Sequence, residues 1–202
     1  MALKRTVILF SIIGLILLSA CIPRLKAPEN YRGIYVGGLT VSIPANWTRG
    51  ELPRDLVQKI TESQGGMVMQ IYNDKLGICG IGIMYFNIKL SYELEGRSWI
   101  DWENAEEVEG LDKKLVSMLF GGMLLTQITD MSSQEWNEKT IGSCDAWEML
   151  CTARIGDIRA KCCYVTIFGE DDLGLVYFFV DENYWQTYND CWIEIRDSLE
   201  FH

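Results

Sequence analysis

Residues 75–86 run Lys-Leu-Gly-Ile-Cys-Gly-Ile-Gly-Ile-Met-Tyr-Phe, and they are apolar on both parities of a strand. Leu76, Ile78, Met84 and Phe86 fall on one side, and Cys79, Ile81, Ile83 and Tyr85 on the other. A strand apolar on both faces needs cover on both faces. This segment therefore predicts the inside of a sheet with helices on each side, and excludes a one-sided sheet. Gly66 to Tyr72 precedes it, joined through Asn73-Asp74, and the two read as a hairpin. Gly77, Gly80 and Gly82 superficially match a nucleotide-binding loop. Their order, G-x-x-G-x-G inside a strand, is wrong for one, and close packing explains them better.

The rest of the chain supplies partners for that strand. Tyr31 to Val36 and Leu39 to Ile43 flank Gly37-Gly38, the pattern of a tight hairpin. Pro44 stops the second strand, and Trp47 is expected in the turn that follows. Pro53 suits the first turn of a short helix whose apolar face is Leu56, Val57 and Ile60. Residues 91–112 are rich in acid, with Trp99 and Trp102 interleaved, and no calcium-loop spacing is met. A solvated helix face accounts for them. Leu111, Leu115, Met118 and Leu119 mark a helix packing inward, ended by Gly121-Gly122, and Leu124 to Trp136 forms a strand with an irregular polar middle.

The last third is the most regular. Ala146 to Ile155 and Ile158 to Phe168 flank Gly156-Asp157, so a two-residue turn fixes the register. Cross-strand partners then sum to 313, which sets Cys151 opposite Cys162 on one face. They are a disulfide candidate, at a hydrogen-bonded pair where the geometry is tighter than at its neighbours. Cys163 must point the other way. Leu173 to Val180 adds a strand, and Asp181 or Asn183 caps a final helix running to about Leu199. Its inner face is Tyr184, Tyr188, Cys191, Ile195 and Leu199, with Trp185 and Trp192 together on a flank.

Ahead of this domain lies an apolar run, Val7 to Leu18, preceded by Lys4 and Arg5 and closed by Leu18-Ser19-Ala20-Cys21. A positive flank, a short apolar core and small residues make a secretory signal. The run is too short to span a bilayer, which takes roughly 20 apolar residues. The final four residues resemble the lipobox of bacterial lipoproteins: aliphatic, small, small, Cys. That resemblance implies diacylglycerol on Cys21 and cleavage just before it. The bland alternative is an ordinary cleaved signal with Cys21 entering a disulfide. Ile22 stands where an Asp would retain an enteric-type lipoprotein at the inner membrane. The expected organisation is thus a signal peptide at 1–20, a tether at 21–30 holding Pro23 and Pro28, and a single domain at 31–202. The nine residues 22–30 reach about 30 Å at most.

The chain has 18 basic and 28 acidic residues. Losing Lys4 and Arg5 with the leader leaves 16 against 28, a net charge of −12. Such a surface is a poor partner for nucleic acid, whose phosphates need a surplus of Lys and Arg. It is also repelled by anionic headgroups, so attachment to a membrane falls to the lipid on Cys21. Besides Cys21 there are six cysteines: Cys79, Cys144, Cys151, Cys162, Cys163 and Cys191. An even number outside the reducing cytosol favours pairing. Beyond the candidate pair Cys151 and Cys162, the pairing of the others is open. No C-x-x-C spacing occurs and the one histidine is His202, which argues against a zinc site. The sequon Asn46-Trp47-Thr48 is coincidental in a bacterial lipoprotein.

Four stretches carry a second resemblance: "LTVSIPANW" after the first hairpin, "IGSCDAWEMLCTARIGD", the strand "GLVYFFV", and the closing helix ending "IEIRDSLEF". Together they are similar, in order, to the superfamily of photosystem II extrinsic PsbP proteins, Ran-binding Mog proteins and DcrB-type bacterial lipoproteins. The resemblance implies an α+β fold, an α/β/α sandwich around a central antiparallel sheet. Ser143-Cys144 departs from the Gly that often follows the position of Gly142. Members mostly bind or stabilise partner proteins, and a fold does not fix a role.

Catalytic patterns are wanting. A lone C-terminal histidine leaves serine or cysteine nucleophiles without a base, and there is no P-loop, G-x-S-x-G or H-E-x-x-H. Among 28 acids nothing selects a glycosidase pair. The expectation is a lipid-anchored envelope protein, on the extracytoplasmic side of its membrane and at the periplasmic face where an outer membrane exists. Its domain is a non-catalytic binding or assembly module without cofactor or metal, served by a protein partner. Two alternatives stay open: an envelope thiol-redox or other enzyme, and a carrier of a small apolar ligand.

Overall fold

The structure, a computed structural model, describes residues 26–52, 54, 57–58, 66–87, 128–155, 157–170 and 172–202. Its strands are β1 (Tyr31–Val36), β2 (Leu39–Pro44), β3 (Thr48–Arg49), β4 (Met67–Asn73), β5 (Cys79–Asn87), β6 (Ile128–Ile141), β7 (Cys144–Ile155), β8 (Ile158–Phe168) and β9 (Asp172–Asp181). A 3-10 turn at Glu182–Tyr184 leads into helix α1 (Trp185–Asp197), and β10 (Glu200–Phe201) follows. Seven strands form one antiparallel sheet in the order β3-β4-β5-β9-β8-β7-β6. The remaining three form a small sheet, β1-β2-β10. This is an α+β fold with antiparallel sheets, as expected.

The two-sided strand takes the interior place that its composition demands. β5 lies between β4 and β9, with Cys79 opposite Val180 and Asn87 opposite Asp172. Its first face, Cys79, Ile81, Ile83 and Tyr85, joins Val176, Phe178 and Val180 of β9 and Cys163, Val165 and Ile167 of β8 in one buried cluster. The β1–β2 hairpin covers this face with Val36, Leu39, Val41 and Ile43, and α1 covers it with Tyr188, Cys191, Trp192 and Ile195. Its second face carries Met84 into another buried cluster with Met149, Cys151, Cys162, Tyr164, Leu173 and Leu175. Each such side chain contributes about 1.5–3 kcal/mol on leaving water.

Turn chemistry sets the strand boundaries. Gly37 and Gly142 adopt φ of 62° and 59° in the tight β1–β2 and β6–β7 connections, a region that glycine enters without steric cost. Between β4 and β5 the turn is longer than a two-residue one. The Asp74 carboxylate accepts the N–H groups of Ile78 at 2.8 Å and Cys79 at 3.2 Å, so β5 starts only at Cys79. Leu76 is therefore exposed, and Ile78 packs with the first-face cluster instead of beside Met84 and Phe86. Of the glycines here, Gly80 serves packing, since a side chain there would strike the Phe179 ring and Asn73, whereas Gly77, at φ 69° with open space around it, serves the turn.

Several other expectations shift. Trp47 closes the turn expected there, its N–H donating to Pro44 O at 3.1 Å, and its ring is core, 2% exposed and stacked on Phe178 at 6.3 Å. Val57 is helical but 46% exposed, so it lies off the inward face assigned to it. β6 runs on to Ile141, with register shifts between Thr129 and Ser132 and between Ser132 and Glu135 that match its polar middle. β10 was not foreseen; its two residues pair with Thr40 and Leu39 of β2. The leader with Cys21, the partners Leu56 and Ile60, the acidic stretch 91–112 and the helix at 111–119 lie outside the described residues.

Candidate functional site

The hairpin β7–β8 brings the predicted cysteine pair together. Cys151 stands opposite Cys162, in a register that runs unbroken from Asp145↔Phe168 to Ile155↔Ile158. Both belong to the second-face cluster, at 4% and 1% exposure. From the neighbouring strand β9, the Tyr177 hydroxyl donates to Cys162 Sγ at 3.3 Å. Hydrogen bonding from Cys151 lowers the Cys162 pKa, against the upward pull of burial, and the Tyr177 hydroxyl lowers it further. That same bond to Cys162, together with burial, raises Cys151. The Cys151 thiol and the Tyr177 hydroxyl both reach Cys162 Sγ and favour its thiolate.

The other thiols are set up differently. Cys163 points to the first face, where burial and then the Glu148 carboxylate push its pKa well up. Burial raises Cys79 and holds Cys191 at about 12. Cys144, at the β6–β7 turn, is partly buried. All six described cysteines are free thiols, and thiols so desolvated are poor nucleophiles. Cys162 combines a partner directly opposite on β7 with a tyrosine donor to its sulfur; Cys191 also has a tyrosine donor, Tyr31, but burial outweighs it. Among the described residues no group of His, Cys, Asp and Glu is arranged to hold a metal ion.

A second polar cluster escaped the sequence reading. Glu148 of β7 points to the first face and is 3% exposed. Its Oε1 accepts Trp192 Nε1 at 2.8 Å and Arg196 Nη1 at 3.1 Å, and Oε2 faces Lys139 Nζ at 3.3 Å. Trp192 consequently lies on the inner face of α1, against Phe178 at 5.5 Å, and not on a flank beside Trp185. Hydrogen bonding to Asp197, then to Glu148, raises the Arg196 pKa. Beside the cluster opens a recess of about 370 Å³ lined by Lys139, Thr140, Ile141, Gly142, Arg196 and Asp197. Its two cations are balanced by Glu148 and Asp197, which suits a clamp between helix and sheet better than an anion site. The signal available in sequence was parity: Glu148 alternates with Ala146 and Leu150 on an inward-facing register.

The second face itself is aromatic and rich in methionine. Trp136 meets Tyr164 edge-on at 6.0 Å, Tyr177 stacks near Phe179 at 6.1 Å, and Met67, Met69, Met84 and Met149 fill the spaces between. The Trp136 indole N–H is buried there without an acceptor among the described residues.

No protein-family model matches the sequence, and no curated protein sequence is similar to it. Solved structures with a similar course of chain include a cyanobacterial PsbP (CyanoP) from Synechocystis sp. PCC 6803. It is 10% identical, covers 90% of this chain and 97% of its own, and has a TM-score of 0.49. A point variant of Mog1 is 10% identical over 86% of this chain and 96% of its own, with a TM-score of 0.47. LpqN, involved in cell envelope biogenesis of Mycobacterium tuberculosis, is 9% identical over 84% of this chain and 89% of its own, with a TM-score of 0.41. At such identities and scores these likenesses say nothing of activity or partner.

Proposed function

We propose that the chain is a lipid-anchored cell-envelope protein whose folded domain binds or supports a protein partner without catalysing a reaction. The observation that carries this reading is Leu18-Ser19-Ala20-Cys21 at the end of a short apolar run behind Lys4 and Arg5. Diacylglycerol on Cys21 would contribute about 0.8 kcal/mol per buried CH₂. The short tether would then keep the domain close to its membrane. The acidic composition favours this division of labour, since the surface itself repels anionic lipid. The chemistry available to the domain points the same way: its one histidine, His202, sits beside Tyr35 at the chain's end, ring centroids 6.2 Å apart. The polar cluster at Glu148 joins helix to sheet and presents no nucleophile.

Palmitate labelling of wild type against Cys21→Ala tests the anchor. Label is expected in wild type and lost in the variant; equal labelling would rule the anchor out. Crosslinking in cells, with identification of what is attached, tests the partner. A recurrent envelope protein is expected, and a co-purifying small ligand in its place would favour a carrier.

A further inference from the structure

We propose that Cys151 and Cys162 close into a cross-strand disulfide, with Cys162 the sulfur that attacks first and Tyr177 the positioning residue that prepares it. For its oxidant the step rests on the extracytoplasmic reading; for its geometry it does not. The two-residue connection makes Ile155 and Ile158 a hydrogen-bonded pair, and alternation carries that state to Ala153–Ala160 and to Cys151–Cys162. Such pairs hold their Cα atoms about 5.5 Å apart. A disulfide accepts Cα separations of about 4.4–6.8 Å, so the strand spacing admits the bond, with the Cβ atoms drawing together by up to about 1 Å as it closes. Both side chains project from the same face, and the Tyr177 hydroxyl reaches Cys162 Sγ at 3.3 Å from β9.

The oxidant class is a small-molecule or protein disulfide. Cys162 loses its proton to solvent, and its thiolate attacks one sulfur of the incoming disulfide. That S–S bond breaks, one half leaves as thiolate and takes up a proton, and a mixed disulfide remains on Cys162. Cys151 then loses its proton and attacks Cys162 Sγ, expelling the second half, which is protonated in turn. Two protein thiols have been oxidised to one disulfide, and the oxidant has been reduced to two thiols. With the two residues 4% and 1% exposed in the folded domain, exchange occurs during local opening over this face, with β8 still paired to β9 and the Tyr177 hydroxyl still on Cys162 Sγ. The finished bond is then shielded from reductant.

The test uses the full-length chain, purified reduced in detergent and incubated with oxidised glutathione in native buffer. Acid quenching, alkylation in denaturant and peptide mapping follow. One linked peptide joining Cys151 to Cys162, two hydrogens lighter, is expected, with Cys79, Cys144, Cys163 and Cys191 alkylated. Alkylation of both residues, or a bond from either to another cysteine, would overturn the pairing. This outcome does not depend on where the protein resides in the cell. Cys151→Ser should form the glutathione adduct several-fold faster than Cys162→Ser; equal rates would overturn the order of attack. Tyr177→Phe should move the pH–rate profile of closure to higher pH while leaving the final pairing unchanged. A profile that does not move would remove Tyr177 from the proposal, whatever the variant does to stability.

Discussion

The Trp192 indole N–H donates to Glu148 Oε1 at 2.8 Å, tying the middle of α1 to the inward face of β7. Arg196, one turn further along the helix, shares that oxygen at 3.1 Å, and Lys139 from β6 approaches the other at 3.3 Å. A carboxylate 3% exposed is tolerated in such a place because partners reach both of its oxygens. Replacing Glu148 with Gln removes the charge that Arg196 and Lys139 both face, leaving Arg196 with Asp197 alone, and should cost about 2 kcal/mol. Trp192→Phe keeps a ring against Phe178 but removes the donor, and should cost about 2 kcal/mol. Urea titration of each variant measures this as a lower midpoint at unchanged slope. The double variant should lose less than the two losses added, because Glu148→Gln weakens the bond that Trp192→Phe removes. Strict additivity would show that the contact is idle.

Gly37 is held by two independent constraints. Its φ is 62°, and a side chain there would run into the Tyr85 ring, whose hydroxyl donates to Asp172 at 2.6 Å. Gly37→Ala should therefore cost about 2 kcal/mol or more, combining backbone strain with overpacking. Adding Tyr85→Ala removes the collision but not the strain. The coupling between the two substitutions should be at least about 0.5 kcal/mol, in the direction of rescue. No rescue at all would assign the whole cost to backbone conformation.

Alkaline pH should unfold the domain early. Burial raises the pKa of Cys79, Cys163 and Tyr164 and carries Cys191 and Tyr188 to about 12, against usual values of 9.0 for a thiol and 10.0 for a phenol. Each group is neutral when protonated and holds its proton more tightly in the fold. Its contribution is thus fully present below the unfolded value and is lost as pH rises toward the folded one. Urea midpoints should stay level with respect to these groups below pH 9 and fall steadily between 9 and 12. Tyrosinate absorbance should appear together with unfolding. Ionisation of these tyrosines in a chain that remains folded would contradict the burial assigned to them.

Much of the sheet was legible because its signals are local. The turn after Ile155 fixed the pairing of β7 with β8 residue by residue, and so set Cys151 opposite Cys162. The two parities of β5 foretold burial on both faces. What stayed hidden depends on contacts distant in sequence. Trp192 looks like a flank residue on an isolated helix wheel; it becomes an inner one because α1 shares its face of the sheet with the β1–β2 hairpin, which widens the buried stripe. Glu148 was invisible as a site because its three partners come from α1 and β6, 9 to 48 positions away. Trp47 follows a proline in a turn-like stretch, and only the approach of Phe178 makes it core. β10 is two residues long, too short for any periodicity.

The third strand of the small sheet fixes where the polypeptide enters and leaves. Tyr31 pairs with Pro44 at one end of the hairpin, whereas the His202 N–H donates to Gly38 O at 2.9 Å at the other. Six strand residues at about 3.3 Å each set the two points roughly 20 Å apart. A reporter fused after His202 would accordingly project from the pole opposite Tyr31. If a bilayer holds the near pole, the glycine turn and the exposed Tyr35 are presented to whatever lies beyond it.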